Sequence, residues 1–233
     1  MTWAVVTGAT ARGGEAIARA LHSAGIDVVI HHSVRSRDQA ILLRDELRAK
    51  GADAVTWEAD LAQPLTVPPW LIELEPAYCV CNASVYLPSA LDDAVRAQAD
   101  LAVHLHANVA LLTALQGSLR SVVAVTDVHV ERPAGGFVWY TVSKAALQAL
   151  MLNLAIEWAP RVRCNVVAPG ALPFPAAWDD QTMKDAVERS IPLGHVGDFD
   201  DLAGAVRYLL IDANYVTGQV LVVDGGRSRW LPG

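Results

Sequence analysis

Cysteine is scarce in this 233-residue chain, and Cys79, Cys81 and Cys164 are too few and too scattered to staple a disulfide framework. The Cys79-x-Cys81 spacing does not suit a zinc knuckle, and strand alternation puts both thiols on one face, where they pack as small apolar groups. No metal site is expected. There is no run of five or six lysines or arginines and the net charge is −7, so the chain shows no electrostatic footprint for nucleic acid or an anionic membrane. No stretch approaches about 18 consecutive apolar residues. The first strand is expected to begin near Trp3, which leaves no room for a charged leader followed by an apolar signal segment. These absences predict a protein of the reducing cytoplasm. Any anion it binds must be held locally, by backbone amides at a helix start and a few side chains.

What is present is apolar residues, 53% of the chain against 18% charged, as a sheet covered on both faces requires. Short β-branched runs at Trp3–Thr7, Asp27–His31, Ala54–Ala59, Ala77–Asn82, Ser121–Thr126, Arg163–Ala168 and Val220–Val223 read as strands. Between them lie helical stretches at Gly14–Ala24, Ser36–Lys50, Asp93–Gly117, Val138–Trp158, Gln181–Arg189 and Asp200–Ile211. Alternation of this kind predicts an α/β fold: one Rossmann-type, doubly wound domain over residues 1–233, with a seven-stranded parallel sheet flanked by helices. No linker or internal repeat divides it. Four prolines between Asp60 and Ala77 predict a short or broken crossover helix there.

Thr7-Gly8-Ala9-Thr10-Ala11-Arg12-Gly13-Gly14 follows the first strand and opens the first helix, where a dinucleotide pyrophosphate would meet free amides and the positive end of the helix dipole. Asp60-Leu61 after the third strand suits a hydrogen bond from the carboxylate to an adenine amino group, or else a cap on its own turn. Asn82-Ala83-Ser84 follows the fourth strand, and all three motifs fall at the carboxyl ends of strands, where open parallel sheets bind ligands. After the second strand comes His31-His32-Ser33-Val34-Arg35, without the acidic residue that holds the ribose hydroxyls of NAD. Ser33 and Arg35 suit a 2′-phosphate instead, so NADPH is the expected cofactor.

Tyr140 and Lys144 are spaced i, i+4 and therefore share one helix face. A cation near a phenol favours phenolate, so Lys144 is expected to lower the Tyr140 pKa toward working pH. Lys144 could also hydrogen-bond the nicotinamide ribose.

In order and spacing, the Thr7-Gly8 turn, Asn82-Ala83-Ser84, Asn108, Tyr140/Lys144, Pro169-Gly170 and Val223-Asp224-Gly225-Gly226 resemble the short-chain dehydrogenase/reductase family across essentially the whole chain. The resemblance implies an NADPH-dependent oxidoreductase, commonly a homotetramer or dimer. It also implies that Asn108 holds a water in a proton relay with Lys144, and that Leu172 binds the nicotinamide carboxamide through its backbone. Arg12 stands in place of the family's second glycine and Asp127 in place of its usual serine. With Asn82–Pro88 and Thr126–Arg132, these departures look like the pteridine reductase and dihydromonapterin reductase branch.

By that resemblance Arg12 touches the cofactor phosphates and a pterin carbonyl, and Tyr86 stacks on the pterin. Ser84 would contact cofactor or substrate, and Asp127 with Tyr140 would supply a proton to ring nitrogen. The bland alternatives are a surface guanidinium, loop packing and a turn cap. Trp178, in a substrate loop expected over about residues 169–190, either covers the ligand or belongs to the core. The leading expectation is reduction of a dihydropterin small molecule. The rivals are a carbonyl or 3-oxoacyl-thioester reductase and a non-catalytic NADPH-binding regulator.

Overall fold

The computed structural model describes residues 2–175 and 178–230. Ala176 and Ala177 of the expected substrate loop, and both expected domain limits, lie outside the described residues. The seven strands are β1 (Trp3–Val6), β2 (Asp27–His32), β3 (Ala54–Glu58), β4 (Tyr78–Cys81), β5 (Ser121–Val125), β6 (Arg163–Pro169) and β7 (Val220–Val223). They form one sheet in the order β3-β2-β1-β4-β5-β6-β7, with every pairing parallel. Among the described residues the α-helices are α1 (Arg12–Ser23), α2 (Arg37–Ala49), α3 (Pro69–Glu73), α4 (Ala94–Leu101), α5 (Ala107–Leu115), α6 (Val138–Glu157), α7 (Gln181–Arg189) and α8 (Phe199–Arg207).

Strand alternation divides the apolar residues into two cores. Val6, Val28, Ile30 and Val80 pack on one side with Ile17, Leu43 and Leu202 from α1, α2 and α8. Val5, Val29, Cys79 and Val122 pack on the other with Leu111, Leu147 and Met151 from α5 and α6. Burial on both faces explains why the strands read as continuous Val/Ile runs rather than as polar-apolar alternation. The chain builds outward from β1 to β3, then returns to place β4 on the other side of β1, so the loops after β1 and β4 part and open a crevice.

The expected elements are found with ends shifted by one or two residues. The proline-rich connection holds only the five-residue α3, with a proline in its first turn. Two expected helices differ in kind. Between α4 and α5 the backbone widens into a π-helical turn at Ala102–His106, and α8 runs on into another at Tyr208–Asp212. No helix among the described residues is long and apolar enough to cross a membrane.

Candidate active site

The turn after β1 is shaped by close backbone approach. Gly8 takes φ +63°, and a Cβ there would stand 2.9 Å from Ala83 Cα. At Gly14 a Cβ would lie 2.0 Å from Gly8 O and 2.7 Å from Asn82 Nδ2, and at Gly13 it would lie 2.7 Å from Leu202 of α8. Thr7 ties the turn to β4: its Oγ1 accepts from Asn82 N–H at 2.8 Å and Ala83 N–H at 2.9 Å, while Asn82 Nδ2 donates to Thr7 O at 2.9 Å. The N-terminus of α1 has no side-chain cap, so its first-turn amides are available to an anion. A pyrophosphate fits such a cradle.

His31 completes it, a role the sequence did not signal. Gly8 N–H donates to His31 Nδ1 at 3.0 Å, so the ring proton sits on Nε2, 3.2 Å from Ala59 O. Burial lowers the His31 pKa to about 4 and keeps the ring neutral. At the end of β2, Ser33 precedes a 3₁₀ turn, Val34–Ser36. Arg37 is paired with Glu58 at 2.6 Å, whereas the exposed Arg35 has no carboxylate partner among the described residues. Asp60 caps its own turn by accepting from Ala62 N–H at 3.0 Å, and Leu61 is buried. Beyond β6, Gly170 N–H donates to Val223 O at 2.8 Å, a Cβ there would meet Asp224 Cβ at 2.6 Å, and Leu172 packs against the α1/α8 core.

The side chains expected to react gather beyond the carboxyl end of β5. Tyr140 O–H donates to Asp127 Oδ2 at 2.7 Å, and Lys144 Nζ, one turn along α6, donates to Val125 O at 2.9 Å. Asp127 Oδ1 accepts from His129 N–H at 2.8 Å, and His129 Nδ1 lies 2.9 Å from the same oxygen without the alignment of a hydrogen bond. Burial acts to raise the Asp127 pKa, but the His129 contacts outweigh it and hold the carboxyl below its ordinary value. Burial lowers Lys144 to about 8.

The expected lowering of the Tyr140 pKa is corrected. Burial first, then the charge of Asp127 and the hydrogen bond to it, push the phenol well above its ordinary value. Lys144 Nζ, 5.9 Å from the ring centroid, is turned to backbone and does not overcome a carboxylate in direct contact. Asn108 Nδ2 donates to His104 O at 2.9 Å, within its own helix.

Tyr86 is half-exposed above this group, edge-on to Tyr140 at 4.7 Å and stacked on Phe137 at 4.4 Å. Phe137 was not singled out from sequence. Trp178 is 43% exposed and rests on Phe174 at 5.4 Å, so it is not core. Arg12, at φ +52°, donates to Pro173 O at 2.8 Å and lies 5.1 Å from the centre of the Phe199 ring, linking the cofactor turn to the loop after β6.

A nucleotide cradle at the sheet's switch point, opening onto a buried Tyr-Lys pair, defines a dinucleotide-dependent oxidoreductase. A family model described as enoyl-(acyl carrier protein) reductase matches residues 8–228. The chain belongs to the short-chain dehydrogenase/reductase family and is an NADP-dependent oxidoreductase. It is 31% identical to a glucose 1-dehydrogenase of Gluconobacter oxydans, over 97% of this chain and 91% of that one. The FolM alternative dihydrofolate reductase 1 of Brucella canis, complexed with NADP, superposes with a TM-score of 0.89 at 27% identity, over 100% of this chain and 96% of that one. A gluconate 5-dehydrogenase of Burkholderia cenocepacia, in complex with NADP and tartrate, superposes with a TM-score of 0.90 at 26% identity, over 99% of this chain and 96% of that one.

Proposed function

We propose that the protein reduces a dihydropterin, of the dihydromonapterin, dihydrobiopterin or dihydrofolate type, to its tetrahydro form. The observation that carries this reading is the 2.7 Å hydrogen bond from Tyr140 to Asp127, where a carbonyl reductase of the family would place a serine hydroxyl. NADPH, when bound, supplies the hydride. Reducing a C=N bond then requires a proton on nitrogen. Tyr140 holds that proton because its pKa is pushed well above the ordinary phenol value, first by burial and then by Asp127. Asp127, whose pKa is lowered and which accepts from Tyr140, orients the O–H instead of sharing in the protonation as expected from the resemblance, and Lys144 is the nearby cation available to the phenolate left behind. Tyr86 offers a ring to a flat heteroaromatic substrate, and Ser84, beside His104, and Arg12, joined to Pro173, are the polar groups assigned to its edge.

The similarity to a FolM dihydrofolate reductase supports this reading, while the name of the glucose dehydrogenase relative favours a second: oxidoreduction between a hydroxyl and a carbonyl. The deciding measurement is NADPH absorbance after addition of several dihydropterins, simple ketones or an acyl thioester, and NADP reduction with glucose. Turnover with a dihydropterin supports the proposal; turnover confined to the other substrates overturns it. Asp127→Ser is expected to cut dihydropterin turnover by about 100-fold, the low end of the contribution of a positioned general acid, because Tyr140 loses the partner that orients its proton. Improved ketone turnover in that variant would favour the second reading. The proposal includes a reducing cytoplasm, consistent with three free, buried cysteines, and a homo-oligomer formed through α5 and α6, where Val109 and Val142 are exposed.

A further inference from the structure

Beneath the cleft the π-helical turn Ala102–His106 delivers a fully buried imidazole that the chemistry above does not use. His104 Nε2 lies 3.1 Å from Val85 N, which donates to it, and 3.0 Å from Ser84 Oγ. A backbone amide can only donate, so Nε2 carries no proton. The ring proton is therefore on Nδ1 and goes to Ser143 Oγ at 2.7 Å, and the Ser143 hydroxyl in turn donates to Tyr140 O at 2.8 Å.

A cationic ring would have no lone pair for Val85. Burial, then the cations Lys144 and Arg96, hold the His104 pKa down to about 2, so the neutral tautomer persists across working pH. Asp100, the acid on the same helix, is already paired with Arg96, while Tyr140 stands edge-on to the imidazole at 5.7 Å and Ser143 takes its proton. The protons of the ring and of Ser143 are thus assigned. Ser84 shares the one Nε2 lone pair with Val85 N–H by donating its hydroxyl proton inward, in competition with its other neighbour, the Tyr140 oxygen; donated to His104, the proton leaves the Ser84 lone pairs toward the cleft, where the residue is exposed.

We propose that His104 is a positioning and specificity-determining residue: it fixes Ser84 as a hydrogen-bond acceptor, so that the ligand presents an N–H or O–H donor to Ser84 and not a carbonyl oxygen. The inference deepens the dihydropterin reading and rests on it for the choice of probes. Ser84 then cannot replace the serine missing at Asp127 as a donor to a carbonyl. Ser84 instead offers the ligand an acceptor beside Tyr140, whose proton rests on Asp127 until a ligand atom takes it, which suits a heteroaromatic ring bearing amino and N–H groups.

The test compares inhibition of the NADPH-loaded enzyme by 2,4-diaminopteridine and 2-amino-4-oxopteridine, which invert the donor–acceptor pattern along one ring edge: the C4 amino donor becomes an oxo acceptor and the N3 lone pair becomes an N–H. The ratio of their inhibition constants is expected to change by about tenfold in His104→Leu and in Ser84→Ala. It is expected to hold in His104→Gln, whose amide oxygen can accept where Nε2 does. An unchanged ratio in both His104→Leu and Ser84→Ala overturns the proposal. If neither probe inhibits, the pterin reading fails on its own, and nitrogen NMR of the His104 ring decides the inference. A ring protonated only at Nδ1 from about pH 5 to about pH 8 supports it; protonation at Nε2 or titration in that range overturns it.

Discussion

Two histidines in this protein are useful because they stay neutral. His31 accepts from Gly8 N–H and His104 from Val85 N–H, and both bonds vanish if the acceptor nitrogen is protonated. The consequence for stability has a definite sign. Their folded pKa values, about 4 and about 2, lie below the 6.5 of a free imidazole, so the unfolded chain binds more protons between those limits. Stability is therefore full above pH 6.5 and falls as the solution is acidified, by about 1.4 kcal/mol per histidine at pH 5.5. Chemical denaturation of wild type and His31→Gln at pH 7.5 and pH 5.5 checks this. Wild type is expected to lose more stability between the two, and equal losses would remove His31 from the account. Lys144 works in the opposite range: burial sets it at about 8 against 10.5, so its contribution rises with pH between those values. Relative to Lys144→Met, wild type should gain thermal stability from pH 8 to pH 10.

At the scale of elements, the glycine turn was legible in the sequence because each requirement has a residue-level signature. The turn needs a left-handed backbone at Gly8 and bare Cα atoms at Gly13 and Gly14, and glycine serves all three. Gly14→Ala would drive a methyl to 2.0 Å from Gly8 O, a rigid backbone atom. Loss of NADPH binding by at least about 100-fold is expected, measured by titration of cofactor fluorescence, because the anion cradle itself must shift. The φ of +52° at Arg12 explains why a glycine suits that place, and Arg12→Gly relieves a strain of about 1 kcal/mol while cutting the link to Pro173. The π-helical turns were not legible. Apolar periodicity reports the face a helix buries, and inserting one residue across Ala102–His106 shifts that face without leaving a turn residue as a marker. Asp127 and Tyr140 were read as partners through the family resemblance, but the direction of the tyrosine shift depended on a contact across 13 positions that spacing alone does not supply.

At the scale of the whole molecule, charge and topology pull against each other. The chain carries −7, which repels an anionic cofactor at long range, yet the sheet gathers the β1, β2 and β4 loops at one end, where α1 points its N-terminus and Arg35 lies without a carboxylate partner among the described residues. Global repulsion is screened within about 8 Å at physiological salt, so at that ionic strength the local cations decide. The neighbouring guanidinium, Arg37, is occupied by Glu58, and we propose that Arg35 and the Ser33 hydroxyl meet a 2′-phosphate, the segment His31–Ser36 holding no acid for the ribose of NAD. Arg35→Glu is therefore expected to lower kcat/KM for NADPH by about 10- to 100-fold while changing NADH much less, the range of a charge-assisted hydrogen bond. The wild-type preference should also weaken with added salt, because the second phosphate is held at an exposed site. Parallel turnover with the two cofactors at low and high ionic strength separates these effects. A preference that survives both Arg35→Glu and high salt would move 2′-phosphate recognition away from the β2 loop and onto Arg12, the other exposed guanidinium at the mouth of the crevice.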